Sequence, residues 1–440
     1  MTLETPNTQS PTEVSTMAIE SDVLVIGGGL AGLTSALAAA RSGADVRLLS
    51  YKQSTLRNAS GLVDVLGYTP DGEGPLSNPY SVIPTLPETH PYQTVGVERV
   101  REAMGLFDDV VTFYRGGHTD TNALVPTHGG TVKPTARYPD GASAGLASDT
   151  RDVLLVGVES MTDFGAPRAA AHLEAAGVPF DVRGVTISFP GGFRADARVT
   201  RYAHVLDTND GVSVRGRDVP AREALARRVA PHLEDEKRVG FPAVLGMDHP
   251  APVRAALSNE LGVDIFEVPM GPPSIPGIRL EETLFEALCD AGASIETGNP
   301  VVDYEGEDRI ERVVVEKNGA RIPNTAEQYV LATGGLVGKG VQSNREGVYE
   351  PIFGCHVAHS ADRYDWFDRE MFGDHPFARF GVSTDDSLRP LAPDGSTEFD
   401  NLRAVGSVLG GYDFAAEKSG SGVSIATGHA AGQHAAQEAR

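Results

Sequence analysis

The sequence predicts an α/β fold: a parallel, nucleotide-binding sheet assembled from separated stretches of chain, with a second α/β unit inserted between them. Three observations carry this. A strand, a glycine turn, a helix and a strand follow one another within about thirty residues of Asp22, the pattern of a βαβ unit. A second apolar strand, Val330-Leu-Ala-Thr333-Gly334-Gly335, ends in a similar small-residue turn far along the chain. Between residues 160 and 295, strand-like and helix-like stretches alternate, as in an α/β domain.

The first strand, Asp22-Val-Leu-Val-Ile26, is a continuous apolar run, which suits burial on both faces. Gly27-Gly28-Gly29-Leu-Ala-Gly32 follows and opens an Ala-rich helix to about residue 42, with a second strand over 44–49. At this spacing Gly27 permits the tight turn, Gly29 lets the backbone approach a phosphate, and Gly32 lets helix and strand pack closely. The helix N-terminus adds unpaired N–H groups and a positive dipole end. One part of a dinucleotide site is missing. The second strand ends Leu48-Leu49-Ser50-Tyr51, without the acid that holds an adenosine ribose. Either Ser50 makes a weaker ribose contact, or there is no adenosine to hold, which suits a mononucleotide such as FMN.

Residues 51–90 read as loop and include Asn58-Ala-Ser60-Gly61; irregular stretches of this length in compact proteins are usually functional. Helices are predicted over 97–114 and 168–176, and a buried strand over 153–158. Within the inserted unit, elements are predicted at 185–189, 221–233, 243–245, 252–261 and 279–291. Strands at 301–304 and 310–316 lead into 328–335. The final stretch holds Asn401-Leu-Arg-Ala-Val-Gly406-Ser407 and then Gly420-Ser-Gly422, which opens a small-residue helix over 423–436. Its N-terminus is placed to stabilise negative charge.

Composition narrows the function. With 37 bases against 60 acids, a net charge of −23 excludes a nucleic-acid partner, which needs clustered cations. Only six bases are lysines (Lys52, Lys133, Lys237, Lys317, Lys339 and Lys418), and an acidic, lysine-poor surface suits a very salty cytoplasm. Two cysteines, Cys289 and Cys355, cannot ligate an iron–sulfur cluster or build a Cys-rich zinc site, and no metal site is expected. No run approaches a membrane span, and residues 1–20 lack the features of a signal peptide and read as a disordered arm.

The three glycine stations, in this order, resemble flavoproteins with a Rossmann-type flavin domain, among them the flavoprotein subunits of fumarate reductase and succinate dehydrogenase. The resemblance narrows through Asn58-Ala-Ser60-Gly61-Leu-Val-Asp64, His90-Pro-Tyr, Pro272-Pro-Ser-Ile-Pro-Gly277-Ile-Arg279 and Arg345-Glu-Gly347-Val-Tyr-Glu350-Pro351. Phe380-Gly-Val-Ser-Thr384-Asp-Asp-Ser-Leu-Arg389-Pro and Ala404-Val-Gly406-Ser407-Val-Leu-Gly-Gly411-Tyr-Asp413 complete the set. Together they resemble the B subunits of anaerobic glycerol-3-phosphate dehydrogenases over nearly the whole chain.

The resemblance implies a Rossmann-type flavin-binding domain with an inserted α/β cap domain. The flavin domain is expected at 21–155, 295–340 and 378–440, the cap at 156–294 with a return at 341–377. It implies oxidation of sn-glycerol 3-phosphate to dihydroxyacetone phosphate, with electrons passed to the quinone pool. It also implies two partners, one bearing FAD and the other an iron–sulfur protein that docks on the membrane, and a cytoplasmic location at the membrane's inner face. FMN is implied as cofactor, with FAD the alternative. An electron-relay or scaffold role, with the chemistry left to a partner, and a free-standing succinate- or aspartate-oxidising flavoprotein are the rival functions.

Oxidising a secondary alcohol with a flavin needs a base and cationic anchors for the substrate phosphate. Arg279, after a Pro/Gly turn at a helix start, and Arg389, in the 384–390 turn, are the candidate anchors, each alternatively a structural ion pair. His375 is the candidate base, with His356 behind it. Gly27, Gly28, Gly29, Gly32, Ser60, Gly61, Thr333, Gly334, Gly335, Gly406, Ser407, Gly420 and Gly422 are the candidate cofactor-binding residues, and Lys418 and Ser419 precede the last helix where they face the same site.

Overall fold

The computed structural model describes residues 18–194, 197–214 and 216–440. The arm expected over residues 1–20 lies outside the described residues up to residue 17, and Ile19 and Glu20 already belong to the first strand. In chain order, β1 (Ile19–Ile26) runs into α1 (Leu30–Arg41) and β2 (Val46–Ser50), and α2 (Val97–Val110) follows a long irregular stretch. The second unit is built on β3 (Val153–Val158), β4 (Val182–Ile187), β5 (Arg238–Pro242) and β6 (Asp264–Val268). Then come α3 (Ile275–Asp290), β7 (Ser294–Thr297), β8 (Val301–Gly306), β9 (Ile310–Lys317), β10 (Ala320–Leu331), β11 (Leu402–Ala404) and α4 (Gly420–Glu438).

The first sheet has the order β7-β2-β1-β10-β9-β8, with β11 added beside β10. β1 lies parallel between β2 and β10, and the last four residues of β1 are buried because both faces of the sheet are covered. β9 pairs antiparallel with the near end of β10, and β8 pairs antiparallel with β9. On one face α1 and α4 make the most extensive helix–helix contact in the structure. They approach backbone to backbone, since side chains at Gly428 and Gly432 would collide with the carbonyl oxygens of Ala31 and Ser35.

The second sheet, β6-β5-β3-β4, is parallel throughout and has its own core of buried aliphatic and aromatic side chains. One helix serves both cores: α3 gives Ile275 and Ile278 to the second and Leu280, Leu284 and Leu288 to the first.

Two expected boundaries differ from this arrangement. The cut at 155/156 falls inside β3, which belongs wholly to the second sheet, pairing with β4 along all six residues. The reason is that an apolar parallel strand carries no mark of which sheet it joins. The segment 341–377 does not return to the second unit. Val341, Val348, Phe353, Cys355 and Val357 are buried in the first core, and Phe353 packs 5.2 Å from Tyr304 of β8. β7, at the expected end of the inserted unit, is the outer strand of the first sheet, in register with β2.

Candidate functional site

The glycine turn has the geometry its spacing predicts. A side chain at Gly32 would strike the Gly27 carbonyl oxygen, and one at Gly27 would strike the Ala332 carbonyl at the end of β10, so this corner closes only with both glycines. Gly29 is different. It is the N-cap of α1, no side chain caps the helix there, and a Cβ at Gly29 would meet nothing within 4 Å. Open space at an uncapped helix N-terminus is a place for an anion. Gly28 packs on Ser50, whose hydroxyl is engaged at 3.2 Å with the Lys52 carbonyl.

Two other stations meet the same corner. Ala332, Thr333 and the α1 turn touch through Gly27, and Gly335 lies against the Ser407 carbonyl. The Thr333 hydroxyl is buried without a hydrogen-bond partner among the described residues, and Gly334 has a φ of +85°. Gly406 sits against Ala31 of α1, and its N–H donates to the Thr427 hydroxyl of α4 at 2.9 Å. At the start of α4, Gly420 packs on Phe414, and the Gly422 N–H donates to the Asp64 carbonyl at 2.7 Å. Ser60 turns its hydroxyl toward the Leu62 N–H, and Gly61 has a φ of +79° and packs on Pro276 of α3. An uncapped helix end and an orphaned hydroxyl in a corner of small residues fit the phosphate and polar edges of a flavin nucleotide.

The residues named for catalysis lie elsewhere. Arg279 is buried on α3, and its guanidinium fork is filled by the Glu267 carboxylate of β6 (Nη1 to Oε2, 2.9 Å) and by the Gly246 carbonyl. This is the structural ion pair left open as the alternative, and the phosphate-anchor role does not stand. Arg389 is held by Asp385 four residues earlier (Nε to Oδ2, 2.9 Å), although it keeps a third of its surface in solvent. His375 spends both ring nitrogens locally: Nδ1 accepts from the Asp368 N–H at 3.1 Å and Nε2 lies 3.0 Å from the Met371 carbonyl. It stacks on Phe377, not on the glycine corner, so it has no nitrogen free to act as a base. The His356 N–H is bound by the Glu398 carboxylate.

Sequence reading missed a buried polar cluster beside the start of α4. Asp64, 5% exposed, accepts from Lys133 Nζ at 2.5 Å and from the Thr135 hydroxyl at 3.0 Å, while its own N–H donates to the Ser421 hydroxyl. Burial raises its pKa above the ordinary carboxylate value, opposed by Lys133 and by Lys418 nearby. Lys133, 69 residues away in sequence, thus pairs with this buried acid, while the Lys418 ammonium nearby donates to the Ala415 carbonyl. Next to them His90 Nδ1 accepts from the Tyr92 N–H at 3.0 Å, which puts the proton on Nε2, donated to Glu417 at 3.0 Å. Glu417 also accepts from the Ser419 hydroxyl at 3.0 Å.

A cavity of about 540 Å³ is lined by Tyr80, Arg101, Asp108, His118, Asp120 and Arg137, and includes none of the predicted site residues. Its arginines are paired, Arg137 with Asp108 and Arg101 with Asp120. Among the described residues no group of three or more His, Cys, Asp or Glu is placed to hold a metal, and no helix is long and apolar enough to cross a membrane.

Comparison with known proteins identifies the family. Residues 22–423 match the family described as "FAD binding domain". A Halobacterium salinarum protein, described as the probable B subunit of an anaerobic glycerol-3-phosphate dehydrogenase, is 68% identical over 96% of this chain and 99% of its own length. The corresponding B subunit of Aliivibrio fischeri is 30% identical over 93% of this chain and 94% of its own, and that of Yersinia enterocolitica 32% over 92% and 95%. The chain belongs to the family of anaerobic glycerol-3-phosphate dehydrogenase B subunits.

The likeness to a Halobacterium protein accords with the acidic, lysine-poor composition. Several segments that carry the family resemblance are fixed by buried hydrogen bonds. His90-Pro-Tyr92 starts a short helix over Pro91–Val95, tied through Glu417 to the start of α4. The 272–279 segment starts α3 with Ser274 as its N-cap, accepting from the Gly277 N–H at 3.2 Å. Glu350 is buried and caps its own turn, accepting from the N–H groups of Ile352, Phe353 and Gly354. Burial raises its pKa, and those three donors oppose the rise.

Proposed function

We propose that this chain oxidises sn-glycerol 3-phosphate to dihydroxyacetone phosphate as the B subunit of a multi-subunit dehydrogenase whose electrons reach the quinone pool. The observation that carries the reading is the glycine corner, open at Gly29, in a chain of this family. When bound, a flavin supplies the two-electron acceptor. Gly27, Gly28, Gly29 and Gly32 hold its phosphate at the start of α1, while Ser60, Gly61, Thr333, Gly334, Gly335, Gly406, Ser407, Gly420 and Gly422 line its path toward α4.

Lys133 and Lys418, not Arg279, receive the substrate phosphate. They stand beside the start of α4, and Asp64 fixes the ammonium of Lys133 in place. A cation held by a buried carboxylate loses little entropy when it meets a dianion.

The flavin in this proposal is FMN, because β2 ends in Ser50 with its hydroxyl already engaged at Lys52 and no acid stands there for an adenosine ribose. FAD is the second reading, favoured by the match to an FAD-binding family. The partners are an FAD-bearing protein and an iron–sulfur protein of the same dehydrogenase. Through the iron–sulfur partner the chain sits at the inner face of the cell membrane.

The test is anaerobic titration of the purified chain with sn-glycerol 3-phosphate in high salt, followed by chromatography of the heat-released flavin. Bleaching of the flavin absorbance with FMN released is the expected result. Released FAD overturns the mononucleotide reading alone. A bound flavin that bleaches only when a partner is added assigns this chain to electron relay, and one that bleaches with succinate or aspartate instead removes the glycerol-phosphate assignment.

A further inference from the structure

Tyr412 carries a hydroxyl that the fold leaves without a hydrogen bond. The residue is 3% exposed, and among the described residues no group bonds its oxygen. It belongs to a stack of three buried rings, in which His90 lies 5.1 Å from Tyr92 and 5.6 Å edge-on from Tyr412. The other two rings are fully engaged. Tyr92 donates to the Val65 carbonyl at 2.6 Å, and the nitrogens of His90 are taken by the Tyr92 N–H and by Glu417. The backbone on either side of Tyr412 is pinned as well. The Gly411 N–H donates to the Arg379 carbonyl at 3.0 Å, and the Asp413 N–H to the Glu417 carboxylate at 2.9 Å.

The stack joins two of the glycine stations. At one end Tyr92 stands against Gly422 at the start of α4, where a Cβ would strike its hydroxyl. At the other end Tyr412 stands beside Ser407, whose carbonyl lies against Gly335. The Thr333 hydroxyl, two residues before Gly335, is likewise buried without a partner among the described residues. A buried hydroxyl in this state costs stability until something supplies the missing partner. Burial raises the Tyr412 pKa above the ordinary tyrosine value; the Ser407 hydroxyl is near enough to oppose the rise, yet no hydrogen bond closes between the two. Tyr412 therefore keeps its proton and offers a donor.

We infer that Tyr412 donates a hydrogen bond to the ring system of the bound flavin and makes that flavin easier to reduce. The inference rests on the flavin of the proposed function and not on its substrate. With its phosphate held at the start of α1 and its path leading toward α4, the cofactor brings its ring to this stack. Reduction adds negative charge to the ring. A fixed donor bonds the charged form more strongly than the neutral one, because charge-assisted hydrogen bonds are roughly twice as strong.

The full chain is prepared in high salt as wild type, as Tyr412→Phe and as Tyr92→Phe. Binding of FMN and of FAD is titrated in both oxidation states, the midpoint potential is set by dye-coupled reduction, and the flavin-free chains are melted. For Tyr412→Phe the expected result is oxidised flavin bound about fivefold more weakly and reduced flavin about fiftyfold more weakly. That tenfold difference lowers the potential of the bound two-electron couple by about 30 mV. The flavin-free Tyr412→Phe chain is expected to melt no lower than wild type, because the hydroxyl it loses has no partner. Tyr92→Phe is expected to do the reverse, melting lower with the potential unchanged. A wild-type potential in Tyr412→Phe overturns the inference. Equal weakening of oxidised and reduced flavin also overturns it, since the contact then lies away from the ring. So does a flavin-free Tyr412→Phe chain that melts several degrees lower, which means a hydroxyl already bonded within the protein. No glycerol 3-phosphate enters these measurements, so a wrong substrate leaves them untouched, whereas a wild type that binds neither FMN nor FAD overturns both readings.

Discussion

A methyl group at Gly29 meets nothing in the protein, whereas one at Gly32, three residues on, collides with the Gly27 carbonyl. Gly29→Ala is therefore expected to leave the melting temperature of the flavin-free protein within about a degree while flavin retention falls at least tenfold, because the methyl takes the space of the phosphate. Gly32→Ala is expected to cost about 1–3 kcal/mol of stability with or without flavin, since helix and strand must move apart. Equal effects of both substitutions on the flavin-free melting curve would remove the anion role of Gly29. At Lys418, φ is +52°, a conformation that asparagine tolerates. Lys418→Asn is thus expected to raise KM for glycerol 3-phosphate about tenfold, the weight of about 1.4 kcal/mol for one lost charge-assisted contact, with flavin content unchanged. An unchanged KM sinks the lysine anchor. The tight turn at Gly27 and the close packing at Gly32 were legible because each follows from spacing along one strand–turn–helix. Arg279 was not, because its partner Glu267 comes from β6 and nothing in the local sequence says which acid lies beneath that helix.

α4 shows the same division one level up. Its small residues foretell a tightly packed helix, yet not that Gly428 and Gly432 fit it to α1 in particular. They also give no hint that β3 joins the second sheet, since a strand buried on both faces reads alike in either. The helix carries a titratable group into this packing. His429 is 6% exposed, its Nδ1 has no partner among the described residues, and burial lowers its pKa, with Glu102 of α2 opposing the shift. The unfolded chain binds a proton at His429 near pH 6.5 and the folded chain resists it, so stability is full above that pH and is lost as pH falls below it. Between pH 7.5 and 5.5 the melting temperature is expected to drop, with His429 contributing at most about 1.4 kcal/mol per pH unit inside its window. His429→Gln is expected to flatten that profile. A profile of unchanged slope assigns the loss to other groups.

For the molecule as a whole, the charge of −23 sets the terms of stability. Many of the arginines are committed to local pairs, such as Arg312 with Glu305 and Arg321 with Asp303 on the exposed face of β8, β9 and β10. Exposed pairs of this kind contribute little each, and the unbalanced acids repel one another. Lowering salt from about 2 M to about 0.1 M lengthens the Debye length from a few ångströms to about 10 Å. The melting temperature is expected to fall steadily over that range. A midpoint independent of salt would mean that the acids are locally neutralised and the composition carries no adaptation to brine. Composition alone made this legible, whereas the exposed aromatic residues at 363–377 did not stand out, because which apolar side chains stay in solvent is settled only by folding.

The first sheet takes β1 from the beginning of the chain, β10 and β11 from far along it, and is closed by α4 in its last stretch. A ribosome adding about 5–20 residues per second therefore releases β1 and α1 tens of seconds before β10 and α4 exist. During that interval the Gly27–Gly32 turn has no Ala332 to close against and no α4 to cover α1. Cofactor loading at this corner is therefore expected to follow synthesis, and a truncation that removes α4 is expected to leave α1 uncovered and the corner unassembled.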